Sequence, residues 1–280
     1  MTAASLAATF NATSREFDTL TTQVWGPAGQ SLAYALEFAS GDAVLDVCCG
    51  TGASAIPAAA AVGPDGIVHA IDLADDLLEV GRAKATDRAL RNIDFVLADA
   101  TQWETPSTIP DAGYDALACS YGIFFLPDPE GNFARLVSLV RPGGRVGVTV
   151  WRKGAIEAFS RTYFEVIAAH SPPSEHSGPL AQDGYDKHPI RRMETVDLLG
   201  AWLRGAGAID VRVVELANHA PATETFVWNL VLGSAMRGAL TPFDDATRAD
   251  IRAELSALLT ERGIDSIDLG TLVATGVRAP

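Results

Sequence analysis

Positive charge is scarce in this chain. Lys and Arg number 21 against 35 Asp and Glu, a formal charge of −14. A phosphate backbone needs a Lys/Arg surface, so neither nucleic acid nor an anionic membrane is the expected partner. Cysteine is scarce too, with three residues, two of them adjacent (Cys48, Cys49), all in apolar strand contexts. They form neither a disulfide framework nor a metal-ligand spacing. Buried free thiols in a reducing cytoplasm are the expectation. No H-x-x-H, H-E-x-x-H or C-x-x-C pattern occurs, so no metal site is expected. There is no run of ~18 uncharged apolar residues, so no spanning helix is expected. Met1 to Phe10 is small and polar with no basic segment ahead of an apolar one, which does not read as a signal peptide. A small molecule remains as the expected partner, with a homodimer as the one macromolecular assembly left open.

The sequence does have core-forming residues, 48% apolar over 280 residues. That suits one α/β domain of roughly 200 residues with helical additions. Residues 1–40 read as a weakly helical segment, with Gly26-Pro27 breaking the chain before a helix at 31–39. Apolar runs at 43–47, 67–73, 93–98, 116–120 and 145–151 read as buried strands. Helical stretches at 53–62, 75–90 and 130–140 separate them, the last stopping at Arg141-Pro142-Gly143-Gly144. Strands alternating with helices imply a parallel sheet covered on both faces. We take 41–152 as an α/β core and 153–280 as the remaining strands, 209–217 and 271–277, with helical insertions at about 155–170, 194–206 and 223–262. Residues 171–192 are a polar loop rich in Pro, Ser, Gly and His.

In open α/β sheets ligands bind outside the carboxyl ends of the strands, so the residues there are the informative ones. The first strand ends in Asp46-Val47-Cys48-Cys49-Gly50-Thr51-Gly52. Glycines allow a tight turn and close approach to a ligand. Asp72, twenty residues past Gly52, ends the second strand, where a carboxylate can take a ribose diol. Asp99, followed by Ala100, ends the third and can accept from an adenine amino group. Together these strand ends describe one adenosine. Gly50 to Ala55 also matches G-x-G-x-x-A, so a nicotinamide-dependent oxidoreductase is the rival. A dinucleotide would set its pyrophosphate against Asp46, which repels it. S-adenosylmethionine presents an ammonium and a sulfonium there, which a carboxylate attracts directly or through water.

The segments VLDVCCGTG, VHAIDLADDLL, FVLADAT, YDALACSYGIFFLPDP and VRPGGRVGVTVW resemble, in this order, those of class I S-adenosylmethionine-dependent methyltransferases. They look most like the ubiquinone/menaquinone-biosynthesis type and related small-molecule enzymes of secondary metabolism. The resemblance covers about residues 10–152 and continues more loosely at 194–217 and 271–277. It implies a doubly wound, Rossmann-like, mostly parallel seven-stranded sheet with the last strand antiparallel, and S-adenosylmethionine as cofactor. It also implies that Gly50 and Gly52 pass close to the methionine moiety and that Asp46 holds its amino group. Asp72 would then bind the ribose, Leu73 would lie beside the adenine, and Asp99 and Ala100 would read the adenine edge. Ser120 and Tyr121 would border the methionine and the reacting methyl, and Phe17 and Trp25 would close the site. The family's D-x-G-x-G-x-G has Cys48 at its first glycine here, so the Cys48 backbone is expected to avoid a glycine-only conformation.

Methyl transfer from a sulfonium needs orientation and desolvation, and a base only if the acceptor must lose a proton. Of the five histidines, His69 reads as structural. His170, His176 and His188 flank or lie in the 171–192 loop, and His219 follows the sixth strand. His170, His188 and His219 are nominated for proton removal, with Tyr121 and Tyr185 as hydrogen-bond partners of the acceptor. Insertions after the fifth and sixth strands start on the ligand side, so 152–192 and 218–262 are expected to cap the acceptor. Tyr121, Phe124 and Phe125 suggest an aromatic or polyketide-like acceptor, methylated on oxygen, carbon or nitrogen. A protein that binds S-adenosylmethionine without methylating remains the second alternative.

Overall fold

Strand β1 (Ala43–Val47) is buried at every position and organises the sheet. Val44 faces a core with Ala58, Val62 and Val68, while Leu45 and Val47 face the opposite core with Leu117, Phe133 and Val148. A strand buried on both faces needs helices on both, which is the doubly wound arrangement. The computed structural model describes residues 2–171 and 188–280.

Beside β1 on one side lies β2 (Ile67–Asp72), then β3 (Ile93–Leu97). On the other side lie β4 (Tyr114–Ser120) and β5 (Val140–Trp151). These five strands are parallel. The sheet is completed by β6 (Ala208–Leu216) at the edge and β9 (Thr271–Arg278) between β5 and β6, antiparallel to both. The order β3-β2-β1-β4-β5-β9-β6 reverses direction between β1 and β4. A crevice opens at that switch point, outside the carboxyl ends of both strands.

Helices α4 (Ala55–Val62), α5 (Asp75–Asp87) and α6 (Pro129–Ser138) make the crossovers. The N-terminal part forms α1 (Ala3–Asn11), α2 (Ser14–Thr19), a π-turn at Thr21–Trp25 and α3 (Gly26–Ala35). Beyond β5 come α7 (Glu157–His170), α8 (Val196–Gly205), α9 (Glu224–Leu232) and α10 (Asp245–Glu261).

Three local expectations need correction, and one element is new. Gly26-Pro27 opens α3 rather than breaking the chain, because proline in a first turn removes an N–H that has no partner anyway. Arg141-Pro142-Gly143-Gly144 lies inside β5, which begins at Val140 and shifts register against β4 between Tyr114 and Ala116. The helical stretch 223–262 is two helices, α9 and α10, with a 3-10 segment, Ala235–Leu240, between them. A two-stranded ribbon was not foreseen: β7 (His219–Pro221) pairs with β8 (Ser266–Asp268). Of the polar loop, residues 172–187, with His176 and Tyr185, lie outside the described residues. The described end of it forms a 3-10 turn at Pro189–Arg192.

Candidate active site

A cavity of about 850 Å³ opens at the carboxyl ends of β1, β2, β4 and β5. Its floor includes Cys48, Gly50, Ser54, Asp72, Leu73, Ser120 and Tyr121. Its roof comes from Phe10 and Phe17 of the N-terminal helices, Phe164 of α7, and Leu230 and Met236.

The floor depends on a tight turn after β1. Gly50 has a φ of +53°, and an added Cβ there would lie 3.1 Å from Phe17 Cζ. Cys48 has a φ of +55° and so keeps the left-handed turn that glycine favours, against the expectation that its backbone would avoid one. A side chain can enter that region at a cost of about 1–2 kcal/mol. Gly122 makes the room: an added Cβ there would lie 2.3 Å from Cys48 Cβ.

Asp72 ties β2 to this turn. Its Oδ2 accepts from Gly50 N–H and its Oδ1 from Ala74 N–H, both at 2.9 Å. Burial nevertheless pushes its carboxyl above the usual range. Asp46 is fully buried beneath the floor, off the lining; no well-formed hydrogen bond reaches either oxygen, though the Ser54 hydroxyl lies close enough to favour its charged form. Burial pushes its carboxyl to about 7; Ser54, which lines the cavity, pulls it partly back, and Asp72 adds repulsion. A buried carboxylate so weakly held is costly, so a cation brought to this floor would have a partner waiting.

Aromatic rings wall the middle of the cavity. Phe17 stacks on Trp25 with centroids 4.8 Å apart, and Trp25 donates from Nε1 to the Phe17 carbonyl at 3.1 Å. Tyr121 lies 4.4 Å from Trp151 and 5.5 Å edge-on from Trp25. Its hydroxyl is bonded to Thr271, and burial raises its pKa, so it stays a neutral phenol. Ser120 Oγ is 2.9 Å from Thr149 Oγ1.

The structure therefore brings Phe17, Trp25, Gly50, Asp72, Leu73, Ser120, Tyr121 and His188 to one cavity. Gly52 and Asp46 support its floor from behind. Asp99 and Ala100 lie off the lining. Asp99 Oδ1 accepts from Thr101 N–H and is 2.8 Å from Thr101 Oγ1, a local turn, and the Ala100 carbonyl accepts from Arg135. His170 also lies off it, pairing through Nε2 with Glu254 Oε2 at 2.9 Å across α7 and α10. His219 is exposed at the start of β7. Neither histidine lines the cavity. His188 does, with its ring 5.9 Å from that of Phe124, and burial lowers its pKa. Its Nδ1 accepts from Ile190 N–H at 3.3 Å, so the neutral ring carries hydrogen on Nε2. His69 bonds to the Tyr114 hydroxyl at 2.8 Å in the core, the structural role expected of it. Sequence reasoning missed Trp151, Ser54 and Phe10. Trp151 ends β5 and was open to the same strand-end argument as Ser120; Phe10 carried no signal beyond its seven-residue spacing from Phe17.

The model of the ubiE/COQ5 methyltransferase family matches residues 30–219. Aklanonic acid methyltransferase DauC of Streptomyces sp. (strain C5) is 40% identical over 147 residues, covering 52% of this chain and 65% of that one, just under two thirds of its length. Nocamycin O-methyltransferase of Saccharothrix syringae is 30% identical over 267 residues, 91% of this chain and 88% of the relative. The YcgJ protein of Bacillus subtilis shares the fold, with a TM-score of 0.58 at 14% identity over 90% of this chain and 98% of its own. The family leaves no place for the nicotinamide reading. The chain belongs to the ubiE/COQ5 methyltransferase family and is an S-adenosylmethionine-dependent methyltransferase acting on a small molecule.

Proposed function

We propose that this enzyme methylates an oxygen of an apolar, polyketide-like acceptor held between the strand ends and the helices α7 and α9. The observation that carries this reading is the cavity itself. Its volume of about 850 Å³ lies near the upper end of the range for small-molecule sites, roughly 300–1,000 Å³, and suits two ligands together. Phe10, Phe124, Phe125, Phe164 and Met236 line its outer part, a surface suited to flat rings. The names of the two polyketide-pathway relatives point the same way. Free thiols at Cys48, Cys49 and Cys119 suit a cytoplasmic enzyme.

The weakly held carboxyl of Asp46 and the carboxylate of Asp72 fit S-adenosylmethionine. Asp46 would attract its ammonium, acting through Ser54 or a water. Asp72 would bind the ribose diol, with Leu73 beside the adenine. Gly50 and Gly52 would let the backbone approach the methionine moiety, and Phe17 and Trp25 would close over it. When bound, the cofactor supplies a methyl group activated on a sulfonium. Ser120 and Tyr121 would border the methionine moiety and that carbon, and exclude water from the carbon. Since Nδ1 of His188 is already an acceptor, Nε2–H would donate to the acceptor oxygen and orient it. That suits an acceptor that arrives as a carboxylate or enolate and needs no base. The test is mass spectrometry of products from methyl-labelled cofactor and a panel of aromatic polyketide acids and phenols. Labelled methyl on oxygen supports the reading; transfer only to amines, with the acids and phenols inert, refutes it.

A further inference from the structure

The end of β4 is held by a hydroxyl that does not itself line the cavity. Thr149 sits on β5 directly across from Ser120 in the parallel ladder and is fully buried. Its Oγ1 lies 2.9 Å from Ser120 Oγ and accepts from Tyr121 N–H at 3.2 Å. The same N–H also donates to the Thr149 carbonyl at 3.0 Å. Tyr121 is where the chain leaves strand geometry, with a φ of +57°, so Thr149 grips the peptide at which the turn begins.

A hydroxyl has one hydrogen and two lone pairs. Tyr121 N–H occupies one lone pair of Thr149, and the Thr149 hydrogen has Ser120 Oγ as its acceptor. A fully buried hydroxyl without an acceptor would be unfavourable, so Thr149 donates to Ser120. The Ser120 hydrogen is then turned away from Thr149, toward the cavity that Ser120 lines. The oxygen can no longer point its hydrogen inward, and Ser120 meets the cavity as a donor.

We infer that Thr149 is a positioning residue of the cofactor site, fixing Ser120 as a hydrogen-bond donor to the anionic carboxylate at the methionine end. This rests on the proposed seat of the methionine moiety beside Ser120. A donor there complements Asp46, since an amino acid moiety presents a carboxylate as well as an ammonium.

The test is calorimetric binding of S-adenosylhomocysteine, with thermal melting of each ligand-free variant, and needs no acceptor. Thr149→Val keeps the shape and removes the hydroxyl, and should weaken binding about tenfold; Thr149→Ala replaces it should the valine variant not fold. Thr149→Ser restores the hydroxyl and should bind within about twofold of the wild type. Ser120→Ala should also lose about tenfold, and the double variant should bind no more weakly than Ser120→Ala alone. A merely structural Thr149 would lower the melting temperature but multiply with Ser120→Ala, to about a hundredfold, and that result overturns the proposal. Wild-type affinity in Thr149→Val overturns it too. Wild-type affinity in Ser120→Ala sinks it together with the seat assigned to the methionine end; Asp72→Ala, measured alongside, then tells whether the rest of the cofactor placement survives.

Discussion

Below neutral pH, affinity for S-adenosylhomocysteine should fall about tenfold per pH unit, because Asp46 must ionise to meet the ligand's ammonium. Burial lifts its carboxyl from an ordinary 3.8 to about 7. The folded chain thus holds a proton that the unfolded chain has released, and the resulting penalty accumulates as pH rises from 3.8 to 7. Three pH units at 1.36 kcal/mol each make it roughly 4 kcal/mol, present in full above pH 7. An ammonium beside the carboxylate offsets part of this by favouring the charged form. Binding therefore expels a proton below pH 7, log affinity rises with a slope near one, and the slope flattens above. Asp46→Asn keeps the shape and cannot ionise. It should bind at least about tenfold more weakly at pH 7.5, show no slope, and yet melt higher without ligand, by up to about 8–16 °C at about 2–4 °C per kcal/mol. Titration calorimetry from pH 5.5 to 7.5, in two buffers of different ionisation enthalpy, reads both affinity and proton release. Burial lowers the pKa of His188, a second titratable group lining the cavity, so the asparagine variant is what isolates the Asp46 part. A wild-type affinity flat between pH 5.5 and 6.5, or a slope that survives in Asp46→Asn, would refute the reasoning.

Asp72→Ala should weaken S-adenosylhomocysteine binding by about 1–3 kcal/mol, the range for losing a charged hydrogen-bond partner, while Glu79→Ala on the exposed side of α5 leaves it unchanged. Equal affinities for the two variants in the same titration would place the ribose elsewhere. Gly122→Ala should destabilise by about 1–3 kcal/mol, since its Cβ would overlap Cys48, and Cys48→Gly should recover most of that loss in the double variant. Denaturant melts giving additive effects would mean that the two residues do not share the space. His170→Ala and His219→Ala should leave ligand affinity unchanged and each cost under about 1 kcal/mol of stability, as surface groups do; a tenfold change in affinity from either would show that the outer cavity reaches further than described.

β1 and β2 were legible because burial on both faces demands mainly apolar runs, which 43–47 and 67–72 have but for Asp46, His69 and the terminal Asp72; β3, at the sheet edge and only partly buried, kept a short apolar stretch, Phe95 to Leu97. Asp72 and Ser120 were legible because topology alone puts strand ends at the crevice. The failures share a cause, which is that local signals were read without their partners. Pro142 and the glycines around it looked like a stop, but β5 carries them in a stretch where its pairing to β4 shifts. Cys48 looked excluded from a glycine turn, and only the empty space at Gly122, seventy-four residues away, makes room for it. His170 and His219 were placed by chain order after a strand on the ligand side. A histidine at the far end of a fourteen-residue helix, or on a ribbon, has already left that edge.

The position of β9 sets how the protein can be made. It fills the slot between β5 and β6, pairing Trp151 with Thr271 and Leu216 with Thr271, so the sheet is not continuous until residues 271–278 arrive. Partners 120 positions apart in sequence are slow to meet, because the loop must close before the contacts form. Until then β5 and β6 each present an unpaired edge, rich in Val, open to pairing with another chain. A ribosome-bound chain lacking β9 would already own the crevice between β1 and β4, though not Thr271, the anchor of the Tyr121 hydroxyl. Its yield in a cell would be limited by aggregation of that open sheet, and variants that speed β9 docking would raise soluble expression without changing the finished enzyme.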